Sequence, residues 1–255
     1  METGQPTSPE LSVGAVWGDA WEIYKLLFRR SVLIAAGVYV VIESVDLISG
    51  YADAYGVRRN VVLTLDVASF VIALAAPMLL QGALIALVRD VHEAHRPEEI
   101  GALLARTVRR IGSLTWAAFV YAFGVVFGLI ALIVPGLLAF SRWSLMAPAI
   151  MLEGDSAGEA RARSRELVKP YTWPVCGILV LVWIAGMAVR EVPVRVGAHW
   201  IDQPAVLYAI LVVASAVAAP FEAHVLSVLY YRITDPESRV IHPDVRGWQS
   251  VWRGA

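Results

Sequence analysis

Six long apolar runs, set apart by short basic segments, constrain this chain more than any other feature. A helix needs about 20 mostly apolar residues to cross a bilayer core of about 30 Å. Ser31–Gly50, Val61–Val88, Ile111–Val134, Leu137–Leu152, Pro174–Val189 and Ala205–Tyr231 meet or approach that length. Composition agrees: 58% of the 255 residues are hydrophobic and only 17% charged, with mean hydropathy +0.63, against roughly 25% charge in soluble domains. The expected fold is therefore all-α, a polytopic membrane protein built as a bundle of six transmembrane helices. A polar N-terminal tail (1–10) has no basic segment leading into an apolar one, so no signal peptide is expected. A single membrane domain (11–233) and a C-terminal tail (234–255) follow.

The fourth run is 16 residues long, contains Arg142, and follows the third through Pro135-Gly136. That spacing predicts a tight helical hairpin; a re-entrant segment is the alternative. The basic residues choose between them. Lys25, Arg29 and Arg30 precede the first span, five arginines lie in 89–110, Arg161, Arg163, Arg165 and Lys169 lie in 154–173, and four arginines follow the sixth span. The intervening loops hold Arg58, Arg59, Arg190 and Arg195. Excess Lys/Arg marks cytoplasmic loops, so this asymmetry fits six full spans with both termini in the cytoplasm.

Each basic segment is expected to form an amphipathic helix at the membrane surface. Val13, Trp17, Ala20, Tyr24 and Leu27 form one stripe of the first. Pro97 opens the second, and Ser156 with Glu159 has capping-box spacing at the start of the third. "ARTVRRIGSLTW" (105–116) resembles "ARSRELVKPYTW" (162–173), and "AAP" recurs at 75–77 and 218–220 with a polar residue four positions on (Gln81, His224). These matches suggest three repeated helix-plus-hairpin units.

Ionisable groups inside lipid are costly and become functional candidates. Arg142 and Asp66 each lie five residues in from the outer end of a span, roughly 8 Å deep. Arg142 is expected to pair with Asp66, or with Asp46 or Glu43 of the first span. Such a pair either fixes helix register or belongs to a solute path. Nearer the cytoplasm, Pro77 and Pro220 free the carbonyls of Ala73 and Ala216, which Gln81, Glu222 and His224 are expected to satisfy. A histidine there also admits a pH-sensitive site.

Catalytic patterns are weak. In "DVHEAH" (90–95) the histidines are three apart, not the four of a zinc-protease helix. Cys176, the single cysteine, lies in an apolar run as a packing residue. No metal, cofactor or catalytic residue is expected, and a net charge of −1 gives no reason to expect nucleic acid.

"EGDSAGEARARSRELVKPYTW" resembles a signature of bacterial membrane proteins grouped with the glycerophosphodiester phosphodiesterase membrane domain. The matching positions are Pro135-Gly136, Arg142-Trp143, Glu153-Gly154, Glu159-Ala160, Arg163-Ser164, Leu167 and Trp173. "VWGDAWEIYKLLFRR" and "AAPFEAHVLSVLYYRI" extend the resemblance across most of 13–233. Lys169-Pro170 and Arg232 depart from the family's usual Lys/Arg-Gly and aspartate. The resemblance implies a stand-alone membrane domain in a bacterial inner membrane, without the soluble catalytic barrel. The leading expectation is a non-enzymatic protein that organises partners, or supports envelope or lipid homeostasis, with the bilayer, anionic headgroups and a membrane-protein partner or second copy as its contacts. A small transporter or exporter component using Arg142, Asp66 and the kinked helices is the alternative. A lipid-modifying enzyme is a distant third.

Overall fold

The computed structural model describes residues 11–93, 98–201, 203–236 and 240. His95, the 1–10 tail and nearly all of the C-terminal tail lie outside the described residues. Nine α-helices are described: α1 (Val13–Ala54), α2 (Arg59–His92), α3 (Ile100–Val108), α4 (Ile111–Ala131), α5 (Ile133–Arg142), α6 (Met146–Pro148), α7 (Ala157–Val168), α8 (Thr172–Gly197) and α9 (Pro204–Thr234). Among the described residues there is no strand. Six segments are long and apolar enough to cross a membrane: α1, α2, α4, the 133–153 stretch, the Ala157–Gly197 stretch that ends in α8, and α9. This is the architecture of a multi-pass membrane protein.

The start of α1 and the end of α9 lie on one face, here called the terminal face. Asp19, near the start of α1, accepts hydrogen bonds from Arg232 of the last turn of α9 at 2.8 and 3.0 Å. Burial concentrates toward that face. The main core runs through Val16 to Ala35 of α1, Leu80 to Val91 of α2, Val175 to Val182 of α8 and Ala216 to Tyr231 of α9. A second cluster joins Leu114 and Ala117 of α4 to Met146, Ala149 and Ile150, roofed by Ala157 and Ala160 of α7.

Three details depart from the sequence reading. The first surface helix and first span are one continuous 42-residue helix, α1; the 13–30 stretch contains no proline to break it. The α4–α5 hairpin turns at Leu132, an extended residue with φ −164°, and Pro135-Gly136 lies inside the first turns of α5. Proline needs no amide partner there. Gly136 instead permits close approach: a Cβ on Gly128 would meet the Gly136 backbone at 2.8 Å. The fourth crossing is also broken. It stops at Arg142, turns, and continues as α6 and a π turn, Ala149–Glu153.

That break is held from outside itself. Ser164 of α7 donates to the Arg142 carbonyl at 2.8 Å and accepts from the Leu145 amide at 3.1 Å. Gly154, at φ 85°, ends the π turn in a conformation only glycine adopts without strain, and its carbonyl accepts from Arg110 at 2.8 Å. Glu153 accepts from Arg163 at 3.0 Å and from the Tyr230 hydroxyl. Ser156 and Glu159 form the expected capping box on α7. Leu167 packs on the core, while Trp173 is largely exposed at the start of α8. The residues that carry the family resemblance thus tie α7 to the broken crossing and to α9.

Candidate intramembrane cavity and ion pair

The predicted pairing of Arg142 does not form. Its Nε donates to Thr172 Oγ1, at the start of α8, at 3.1 Å. The break after residue 142 puts Arg142 beside the first turn of α8 near the terminal face, whereas the 8 Å depth assumed an unbroken helix. Asp66 accepts from Ser49, and Asp46 accepts from Ser69. The two helices thus cross-pair through Asp-x-x-Ser at 46–49 and 66–69, one Asp and one Ser from each. These groups, with Asp53, line an open recess of about 560 Å³ between the distal ends of α1 and α2. Glu43 lies one turn below Asp46 on α1, electrostatically close to it and to Tyr39.

The intramembrane cation that does pair was assigned by the sequence to a loop. α8 continues to Gly197, so Arg190 lies within the helix. Its Nη2 donates to Glu222 Oε1 of α9 at 2.7 Å, with both side chains mostly buried. Gly186, one turn before Arg190, makes the pair fit: a Cβ there would collide with the Glu222 carboxylate. Glu222 is 12 residues from the end of α9 and Gly186 is 14 from the start of α8, so the pair stands roughly 20 Å from the terminal face. That is near the middle of both helices. Tyr39 of α1 approaches the same guanidinium.

Glu222 also faces inward. With Gln81 it lines a cavity of about 260 Å³ among α2, α4, α5, α8 and α9. Apart from Ser144, the rest of the lining is apolar or aromatic, including Met78, Tyr121, Phe140, Trp143, Met146 and Trp183. Tyr121 spends its hydroxyl on the Phe140 carbonyl at 3.2 Å, so its ring is left to face the cavity. Trp143 is wedged against Gly124 of α4, and the Arg161 guanidinium of α7 lies 5.6 Å from its ring centre. The break in the fourth crossing is what turns Trp143 into this position.

The prolines lie inside α2 and α9 as expected, but the three nearby polar residues are turned elsewhere. Glu222, a carboxylate, can only accept hydrogen bonds, and it accepts from Arg190. Gln81 faces the cavity. His224 is fully buried against α1, its Nε2 3.3 Å from Ser31 Oγ, with Nδ1 without a partner. The bond that reaches the α9 kink comes from Tyr24, whose hydroxyl donates to the Val217 carbonyl at 3.0 Å.

In the "DVHEAH" segment, Asp90 is buried beside Arg106 at 3.6 Å, and His92 stacks on Tyr231 with centroids 3.9 Å apart. Among the described residues, no group of three or more His, Cys, Asp or Glu is placed to hold a metal. Two carboxyls on the terminal face are shifted in opposite directions. Hydrogen bonds from Ser156 hold Glu159 below the usual carboxylate range. Partial burial, with Glu153 and Glu159 nearby, pushes Asp155 up.

Sequence reasoning named Gln81 and Glu222 but missed Arg190, Gly186 and the aromatic lining. Gly186 and Arg190 are four apart, which places them on one helix face. That spacing was the available signal. No family model, curated protein or solved structure matches the chain.

Proposed function

We propose that this chain is a small-solute transport component of a bacterial plasma membrane, with both termini in the cytoplasm, working through the Glu222 cavity. One observation carries this reading: a cavity near the middle of α8 and α9 whose wall includes a carboxylate held in an ion pair between two helices. A bundle that served only as an anchor would gain nothing from a void beside a costly buried pair. The proline kinks in α2 and α9 fall on helices that line this cavity, where small changes of bend would alter its access. No reaction is proposed for the site, since its lining offers one carboxylate and no nucleophile with a base beside it.

The basic terminal face favours the cytoplasmic orientation. Resemblance to the phosphodiesterase membrane domain fits this placement, with α7 as the shared signature. The reading of a partner organiser held by anionic headgroups draws on Arg109, Arg165 and Lys169, which are exposed on that face. Several other basic residues there, including Arg106, Arg110, Arg163 and Arg232, already have protein acceptors. That reduces the charge left for lipid, and the transport reading is preferred.

The test is efflux from proteoliposomes loaded with anionic, neutral and cationic aromatic solutes of about one ring. One class is expected to leave faster than from protein-free vesicles. Ala118→Phe, which fills the cavity, is expected to remove the difference. Unchanged efflux for the whole panel overturns the proposal.

A further inference from the structure

The chemistry of the cavity wall narrows the ligand class. We infer that the Glu222 cavity takes a small organic cation with an aromatic or apolar body, which displaces Arg190 from the Glu222 carboxylate. The inference rests on the cavity being the working site, as proposed above.

Charge comes first. Glu222 is the only carboxylate among the lining residues, and no Lys, Arg or His joins it. An anion would meet this carboxylate where water screens little. A neutral apolar molecule would cover Glu222 and Gln81 without pairing with them, and such desolvation is unfavourable. A cation can pair with Glu222 in place of Arg190.

The rings point the same way. Tyr121, Phe140, Trp143 and Trp183 all line the space, and aromatic faces carry negative charge density that attracts cations, most strongly when desolvated. Quaternary or tertiary ammonium groups suit such a wall better than a strongly hydrated primary amine or metal ion. Size sets the upper limit. About 260 Å³ equals the liquid volume of about nine waters, enough for one ring and a compact ammonium group.

Arg190 is the internal competitor. It is absent from the cavity lining and meets Glu222 beside Gly186. When a ligand takes the carboxylate, the guanidinium is left among Tyr39 and, near it, Glu43 of α1. Ligand entry is thereby coupled to the distal half of α1, which α8 scarcely touches otherwise. The same exchange sets affinity, because each ligand must outcompete a tethered cation.

The experiment measures displacement of radiolabelled benzyltrimethylammonium from the purified full-length protein in zwitterionic nanodiscs. Unlabelled benzyltrimethylammonium is expected to compete at least tenfold better than neopentylbenzene, its neutral isostere, and benzenesulfonate is expected not to compete. Glu222→Gln is expected to weaken binding at least tenfold, and Arg190→Gln to tighten it several-fold. Equal competition by the neutral isostere, preference for benzenesulfonate, or no saturable binding by the wild-type protein overturns the inference, whatever the variants do. Saturable cation binding without efflux would keep the ligand class and overturn transport. Efflux confined to neutral or anionic solutes would keep transport and overturn the ligand class.

Discussion

α2 contains two different environments in one helix. From Arg59 to Leu79 no residue is buried, whereas from Leu80 to Val91 all but Gln81 and Arg89 are. α9 repeats the pattern in reverse, with burial beginning only at Ala214. The terminal half of the bundle is a packed core, and the distal half is a set of helices facing lipid around the Asp46–Asp66 recess. Apolar sequence alone does not separate them, because lipid and protein interior demand the same residue types. In the packed half, Gly82, Ala83 and Ala86 of α2 and Ala216, Ala219 and Ala223 of α9 are buried, and their small side chains allow close helix approach.

The sharpest way to break this contrast is a matched pair of truncations in α2. Leu84→Ala, at a fully buried site, is expected to cost about 2–5 kcal/mol. Phe70→Ala, 70% exposed, is expected to stay within about 0.5 kcal/mol. Thermal unfolding in detergent followed by helical circular dichroism measures both, and equal losses would show that the distal half is packed in solution.

Next in size is Gly186→Ala, at the level where the two halves meet. Its methyl would displace the Glu222 carboxylate, with an expected cost of about 1–3 kcal/mol. Restoring stability by Gly186→Ala with Glu222→Ala would tie the loss to that contact.

Smaller again is Ser156→Ala on the terminal face, which removes one side of the capping box and should cost about 1 kcal/mol. pH supplies the companion measurement. Glu159 is held below its unfolded value of about 4.3, so its contribution is present above that pH and is lost as pH falls through the folded value. Asp155 acts in the opposite sense: its raised value penalises the fold at neutral pH, and acid relieves the penalty. α7 should therefore lose its capping contribution between about pH 4.3 and lower values, and Ser156→Ala should flatten that dependence. Smallest of all, Asp66→Asn keeps the polar contact with Ser49 and should change stability by under about 1 kcal/mol.

The number and class of spans were legible because each crossing leaves a long apolar run. The interior of the site was less legible. The fifth span was ended at Arg190-Glu191, since a local pattern cannot report a partner 32 residues away on α9. Arg142 was placed too near the distal face because a straight helix was assumed; the break depends on Ser164, also remote in sequence. Asp46 and Asp66 stand out in apolar runs, yet their partners are Ser69 and Ser49, which carry no charge to attract notice. Glu222 and Gln81 were found because polar residues near a proline stand out in an apolar run.

The one-residue link at Leu132 has a consequence for biosynthesis. α5 is 10 residues long, about 15 Å at helical rise, which is half of a bilayer core. It cannot anchor itself as it leaves the ribosome, and the π turn that completes the crossing needs α7, which is made later. α4 and α5 form one wedge, their backbones in close approach at Gly128 and Gly136. Ser164 belongs to α7, which follows the crossing in the chain, so the hydrogen bonds that hold the break can form only once α7 has been made.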